Sequence, residues 1–281
     1  MNILQPICIT LFFVIFFALE IVSGRYKHLQ VAKDDWKIEI LVPALLLVLI
    51  QPGIFFGVIW LAYQFVPQYA GAWSTLPGWA MFAILLVADD LTQYWWHRLS
   101  HTPFLWPLHR VHHSASYMSV RIVYHNNFFY YAMMPGLWIS SALVFLGFAK
   151  VYSLYFVLKL FVIIGAHSAV RWDEPLYRWR ATRPLMWLLE RMISTPATHY
   201  AHHALTMEDG IGHYKGNFGN FLFLWDMIYG TALITRRYPK NVGLVDDLRY
   251  GKEAWYIEVF FPFFKSTRSH SALGKVRIIV E

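Results

Sequence analysis

Long apolar runs separated by short charged segments set the pattern of this chain. Five stand out: Ile3–Val22, Ile40–Val66, Trp79–Trp96, Phe128–Phe148 and Tyr152–Ala166. Crossing a hydrocarbon core about 30 Å thick takes about 20 helical residues, and backbone polar groups at that depth must be satisfied within the helix itself. The runs therefore predict an all-α integral membrane protein with about four to five transmembrane helices. The second run is interrupted by Gln51-Pro52-Gly53, which reads as a kink or a re-entrant break. The last is short and carries Lys159, read as a snorkelling or inward-facing structural residue.

Composition agrees with a bilayer as solvent: 57% of the 281 residues are hydrophobic and 15% charged, against about 25% charged in soluble domains. The 13 Trp and 17 Tyr suit rings at headgroup depth. A single cysteine, Cys8, lies inside the first run, which excludes a disulfide framework and a cysteine-ligated zinc or iron–sulfur site. The net charge of +7 fits an anionic leaflet surface, and no nucleic-acid motif accompanies it.

Charge also sets orientation. The first basic residues, Arg25 and Lys27, follow the first run, so that run reads as a retained span, not a cleaved signal. No Lys or Arg occurs from Ile40 through Trp96, whereas Gly24–Glu39, His97–Asn127 and the chain after His167 hold all 24 basic residues except Lys150 and Lys159. Cytoplasmic loops are enriched in Lys and Arg, which puts those three regions in the cytoplasm.

The candidate chemistry lies in these regions. His97 and His101 form H-x-x-x-H; His109, His112 and His113 form H-x-x-H-H; His199, His202 and His203 repeat it. At a frequency of 13 histidines in 281 residues, chance would produce H-x-x-H-H roughly 0.03 times per chain, so two copies carry weight as a motif. Spacings of three and four place imidazoles on one helical stripe, and the span count brings all three clusters to one face of the membrane. Thr195-Pro196 reads as an N-cap and first helical residue for the third cluster, and Thr102-Pro103 as the same device ahead of the second. An isolated histidine is more often a surface or hydrogen-bonded core residue, and His28, His213 and His270 are read so. His167, at the end of the fifth run, and His125, in Tyr124-His125-Asn126-Asn127, are added as candidate ligands.

Eight clustered histidines exceed the need of one ion, whereas two iron ions sharing them would keep positions open for dioxygen. A catalytic zinc site uses three protein ligands, and H-E-x-x-H is absent. Asp89 and Asp90 interrupt the third run, where carboxylates are costly. Asp90, two turns before His97, is the candidate catalytic support, orienting a ligand imidazole through its second nitrogen; interhelical hydrogen bonding is the plainer alternative.

These residues resemble the fatty acid hydroxylase/sterol desaturase superfamily of integral membrane di-iron oxidoreductases. The likeness runs through Asp90, Tyr94-Trp95, His97-Arg98, His101, Leu105-Trp106, His109, Val111-His112-His113-Ser114, His167-Ser168, Thr195-Pro196, His199, His202-His203, Asn217-Phe218-Gly219, Trp225-Asp226 and Gly230-Thr231. It implies N-terminal transmembrane helices over residues 1–88, a di-iron catalytic domain over 89–231 under a cytosolic His-rich helical cap, and a cytosolic or interfacial tail over 232–281. It further implies that the eight box histidines and His167 hold iron (Fe2+/Fe3+), and that O2 serves as co-substrate in the hydroxylation of a lipid C–H bond during lipid biosynthesis, a monooxygenase reaction.

Desaturation at the same site is the alternative outcome. Without a nucleotide fingerprint or a haem-binding domain, the electrons are expected from a separate reductase, ferredoxin or cytochrome, with basic Arg171–Arg191 as a candidate docking or headgroup surface. A metal-ion transporter or a haem electron carrier remains a non-enzyme alternative; both predict histidines within the spans. The host membrane is a bacterial inner membrane or the endoplasmic reticulum.

Overall fold

The computed structural model describes residues 4–274, and among these the regular structure is helical. Three helices are long and apolar enough to cross a membrane: Leu4–Val22, Asp35–Phe65 and Phe128–His167. The Gln51-Pro52-Gly53 interruption neither breaks nor re-enters. A π turn at Leu46–Ile50 directly precedes Gln51-Pro52, and such a widened turn accommodates the missing N–H and the proline ring within a continuous helix.

The stretch Phe128–His167 comprises two legs. Gly147 adopts φ 115°, a conformation that side chains disfavour, and a Cβ there would stand 2.9 Å from the Ser74 backbone nitrogen. Gly136 before it and Lys159 after it both meet Asp89, so the chain reverses at Gly147. The separation of the fourth and fifth apolar runs marks this reversal. In the sequence between the second helix and the legs comes a helical stretch, residues 78–100, continuous through a π turn at Leu86–Leu91 that contains Asp89 and Asp90. It runs beyond its apolar part and ends at the first histidines.

The N-terminal helix packs on the second leg through Phe12 and Phe161, whose rings meet edge-on at 4.9 Å. Glu20, fully buried near its end, accepts hydrogen bonds from Ser119 Oγ (2.6 Å), Val120 N (3.0 Å) and Ala169 N (2.8 Å). One carboxylate thus satisfies donors from two loops flanking the histidine region. On the other side, Arg110 pairs with Glu258 at 2.5 Å and with Asp247, and Asn127 donates to the carbonyls of Glu258 and Phe261. The segment beyond residue 231 is thereby tied to the helix that carries His109, His112 and His113. In the aromatic run after Val259 the faces divide: Val259 and Phe261 are buried, while Phe263 and Phe264 are exposed.

Candidate metal centre

Four helix ends deliver the histidines. The helix of residues 78–100 presents His97 and, at its C-cap, His101. Trp106–His113 presents His109, His112 and His113; its first turn carries Pro107, and its N-cap position is Leu105. The start expected at Thr102-Pro103 is corrected: Thr102 Oγ1 donates back to the Leu99 carbonyl at 2.6 Å and closes the preceding helix. Pro196–His202 begins as the sequence predicts, with Thr195 and Thr198 forming a reciprocal capping box and Pro196 in the first turn. His167 ends the second leg.

Nine histidines form two groups, within each of which the potential ligand nitrogens lie within 4.8 Å of one another. His97, His101, His109, His113 and His202 make one; His112, His167, His199 and His203 make the other. Each H-x-x-H-H helix divides its histidines in the same way. Trp106–His113 gives its i,i+4 pair, His109 and His113, to the five-histidine group and His112 to the other. Pro196–His202 with its C-cap gives the i,i+4 pair His199 and His203 to the four-histidine group and His202 across. At 3.6 residues per turn, neighbouring residues point about 100° apart, so adjacent His112 and His113 must serve different groups. The groups abut: the His113 and His203 rings stack at 4.4 Å.

Backbone carbonyls fix several tautomers. A carbonyl oxygen can only accept, so Nδ1 carries the proton where it meets Phe218 O (His97, 2.6 Å), His125 O (His112, 3.2 Å), Ile163 O (His167, 2.8 Å) and Gly216 O (His202, 2.8 Å). That leaves Nε2 as the lone-pair donor in each, the usual support for a metal-binding imidazole. The Nε2 atoms of His97, His101, His113, His202 and His203 are buried with no hydrogen-bond partner among the described residues. In the second group, His112 Nε2 and His167 Nε2 face each other at 3.5 Å with no proton on either. His199 Nε2, 2.9 Å from His167 Nε2, can give that nitrogen a proton, but His112 Nε2 is left facing it without a donor, which is unfavourable in a buried site, and a cation among the three nitrogens removes the conflict. The donor sets thus fit two metal ions, and imidazole suits iron.

Electrostatics keep these ligands ready. Burial first, and repulsion from neighbouring imidazoles second, hold His101, His109, His112, His113, His199, His202 and His203 well below the ordinary histidine range. They are neutral at pH 7, as metal binding requires.

Two site expectations meet a different geometry. Asp90 is not the partner of His97: its Oδ2 accepts from Trp225 Nε1 (2.8 Å) and Leu222 N (3.2 Å). It anchors the loop whose Phe218 carbonyl orients His97, so its support is one step removed from the imidazole. His125 belongs to neither group; its backbone carbonyl, not its ring, reaches His112. The sequence reading missed the backbone acceptors, which leave no residue signature. It also gave no role to Asp226, which accepts from Phe218 N (2.8 Å), Gly219 N (2.6 Å) and Thr231 Oγ1 (2.6 Å).

Fold and centre together define a helical membrane protein with a paired, histidine-lined metal centre. The fatty acid hydroxylase family model matches residues 82–231, more than half of the chain, and the chain belongs to that family. Its members are di-iron oxidoreductases, and this chain is such an enzyme. No solved structure matches it. The matched region contains all nine clustered histidines, Phe218 and Asp226.

Proposed function

We propose that this protein hydroxylates a C–H bond of a membrane lipid with dioxygen, using one iron ion held by His97, His101, His109, His113 and His202 and a second held by His112, His167, His199 and His203. The observation that carries this reading is a cavity of about 1120 Å³ that meets His97, His109, His112 and His167 and continues between apolar residues of the membrane helices, among them Ile9, Phe13, Leu46, Phe55 and Leu160. Ligand pockets commonly measure about 300–1,000 Å³, so the space suits a long lipid. When bound, the ions supply dioxygen activation with two electrons from a separate reductase, ferredoxin or cytochrome. The chain's own part is to hold the imidazoles neutral, fix their tautomers through backbone carbonyls, and enclose the lipid away from bulk water.

Desaturation remains the second outcome for the same centre, because the histidine arrangement is indifferent to whether oxygen is inserted or a second hydrogen removed. A transporter or haem carrier is disfavoured: the nine histidines gather at one end of the helices and not at intervals along them. With the 78–100 helix and the two legs counted separately, the chain reads as a five-span, multi-pass protein whose centre faces the cytoplasm. Residues 89–231 act as the catalytic unit.

Comparative lipid mass spectrometry tests the reading. Cells expressing wild type are compared with cells expressing the His112→Ala/His113→Ala double variant, which strips one ligand from each group. A lipid heavier by one oxygen, present with wild type only, is expected. A lipid lighter by two hydrogens assigns desaturation, and identical lipid profiles overturn both.

A further inference from the structure

On the wall of the same cavity, eight residues before His97 and His167 on their helices, stands a polar cluster that the metal centre does not use. Lys159 Nζ donates to Asp89 Oδ2 at 2.5 Å, and Tyr155 OH donates to the same oxygen at 2.6 Å. Asp89, Gly136, Ser140 and Lys159 all line the cavity. Both donors crowd Oδ2; the other oxygen, Oδ1, lies against Gly136, where a Cβ would come within 2.3 Å. Glycine at this position lets the Asp89 carboxylate come close to the neighbouring helix. One turn further is the buried Ser140 hydroxyl, beside Tyr152 on the cavity wall.

The cluster joins three helical stretches, but cohesion alone is a costly use of charge there. Ionisable residues at membrane depth are costly, and well-packed apolar side chains of similar volume usually stabilise a buried contact at least as well as an ion pair. What the cluster offers is a paired donor and acceptor: Lys159 has N–H groups beyond the one given to Asp89, and Asp89 has a second carboxylate oxygen, both at the wall of a lipid-sized space. The pair is neutral as a whole. A carboxylate or phosphate placed there would add an unmatched charge in an apolar cavity, whereas a hydroxyl both donates and accepts and adds none.

We propose that Asp89 and Lys159, with Tyr155 and Ser140 beside them, bind the hydroxyl group of a neutral, alcohol-bearing lipid and thereby set which carbon reaches the metal centre. This rests on the lipid-oxidising reading above and names its substrate class. Asp89 precedes His97 on one helix by the same eight residues by which Lys159 precedes His167 on another, a rise of about 12 Å. The oxidised carbon therefore lies roughly 12 Å from the hydroxyl.

The test is a binding measurement on the full-length, metal-loaded protein in nanodiscs, without oxygen or reductant. Tritium-labelled octadecan-1-ol is the probe, with unlabelled octadecan-1-ol, octadecane and octadecanoate as competitors. Wild type is expected to favour the alcohol at least tenfold over both others. The Asp89→Asn/Lys159→Met double variant, which removes both charges together, is expected to lose that preference while still binding octadecane. Gly136→Ala, which leaves the ion pair's residues in place but crowds Oδ1, is expected to lose it as well and serves alone should the double variant not fold. Equal competition by alkane and alcohol in wild type, a preference for octadecanoate, or a folded variant that keeps the alcohol preference overturns the proposal. Because no turnover is involved, the two readings fail separately. Alcohol preference without any oxidised lipid sinks the enzyme's proposed reaction and leaves this site standing; oxidised lipid without alcohol preference does the reverse.

Discussion

The carbonyl oxygen of Phe218 lies 2.6 Å from Nδ1 of His97, a residue 121 positions earlier in the chain. This contact determines which nitrogen of His97 is free for metal, and it depends on a loop held from both sides. Asp226 gathers the N–H groups of Phe218 and Gly219, and Asp90 gathers Leu222 N and Trp225 Nε1.

Asp226→Ala should therefore weaken metal binding without touching a ligand. The loop N–H groups lose their acceptor, the Phe218 carbonyl drifts, and His97 loses its orientation. Losing a direct partner of a ligand imidazole typically costs about 10–100-fold in metal affinity; Asp226 acts one step further out, so about tenfold or less is expected. Chelator titration followed by metal analysis should show one of two ions leaving at a lower chelator concentration than in wild type. If both ions leave at the wild-type concentration, the loop has no bearing on His97.

Much of the centre was legible because its grammar is local. H-x-x-H-H at a helix start, signalled by Thr195-Pro196, puts three imidazoles at predictable angles, and the charge pattern puts every cluster on one face. The exchange of His112 and His202 between groups follows from the 100° step per residue, yet it becomes visible only when the partner helix is in place. Of the two readings open for Asp90, orientation of an imidazole or hydrogen bonding between segments, the contacts match the second. Seven residues do bring Asp90 to the same helix face as His97, but the carboxylate meets Trp225 from a distant segment first. Backbone acceptors such as Phe218 O, Gly216 O and Ile163 O are set by tertiary path alone, since any residue supplies the same carbonyl. At Gln51-Pro52-Gly53, composition marked the irregularity but could not distinguish a break from a π turn.

The depressed histidine titrations give a pH prediction with a definite sign. Seven buried imidazoles stay neutral in the folded chain at pH values where free histidine, near 6.5, takes up a proton. Below that value the unfolded state binds more protons than the folded one, so stability falls as pH falls. The contribution is fully present above about pH 7.5 and declines through about 6.5 and below. Melting temperatures of metal-free protein between pH 8 and 5 should hold level and then drop, and metal-loaded protein should release its ions over the same range. A melting temperature that rises on acidification contradicts neutral, buried imidazoles.

His125 separates a ligand from a neighbour of ligands. Its ring is fully buried and, among the described residues, neither nitrogen has a hydrogen-bond partner and it stands in neither metal group. Burial, then the charges of Lys252 and Arg121, pushes its imidazole down to about 3. What His125 gives the centre is its carbonyl, 3.2 Å from His112 Nδ1, and any residue provides that atom. His125→Leu should consequently retain two ions per chain. Unpartnered buried polar atoms cost about 1–3 kcal/mol, so its melting temperature should match or exceed that of wild type. His112→Leu, one group away in the same contact, should lose the ion of the four-histidine group. Metal analysis of the two variants side by side decides the matter: if His125→Leu loses an ion as His112→Leu does, the ring reaches the metal in the loaded protein, and the division into five and four histidines is incomplete.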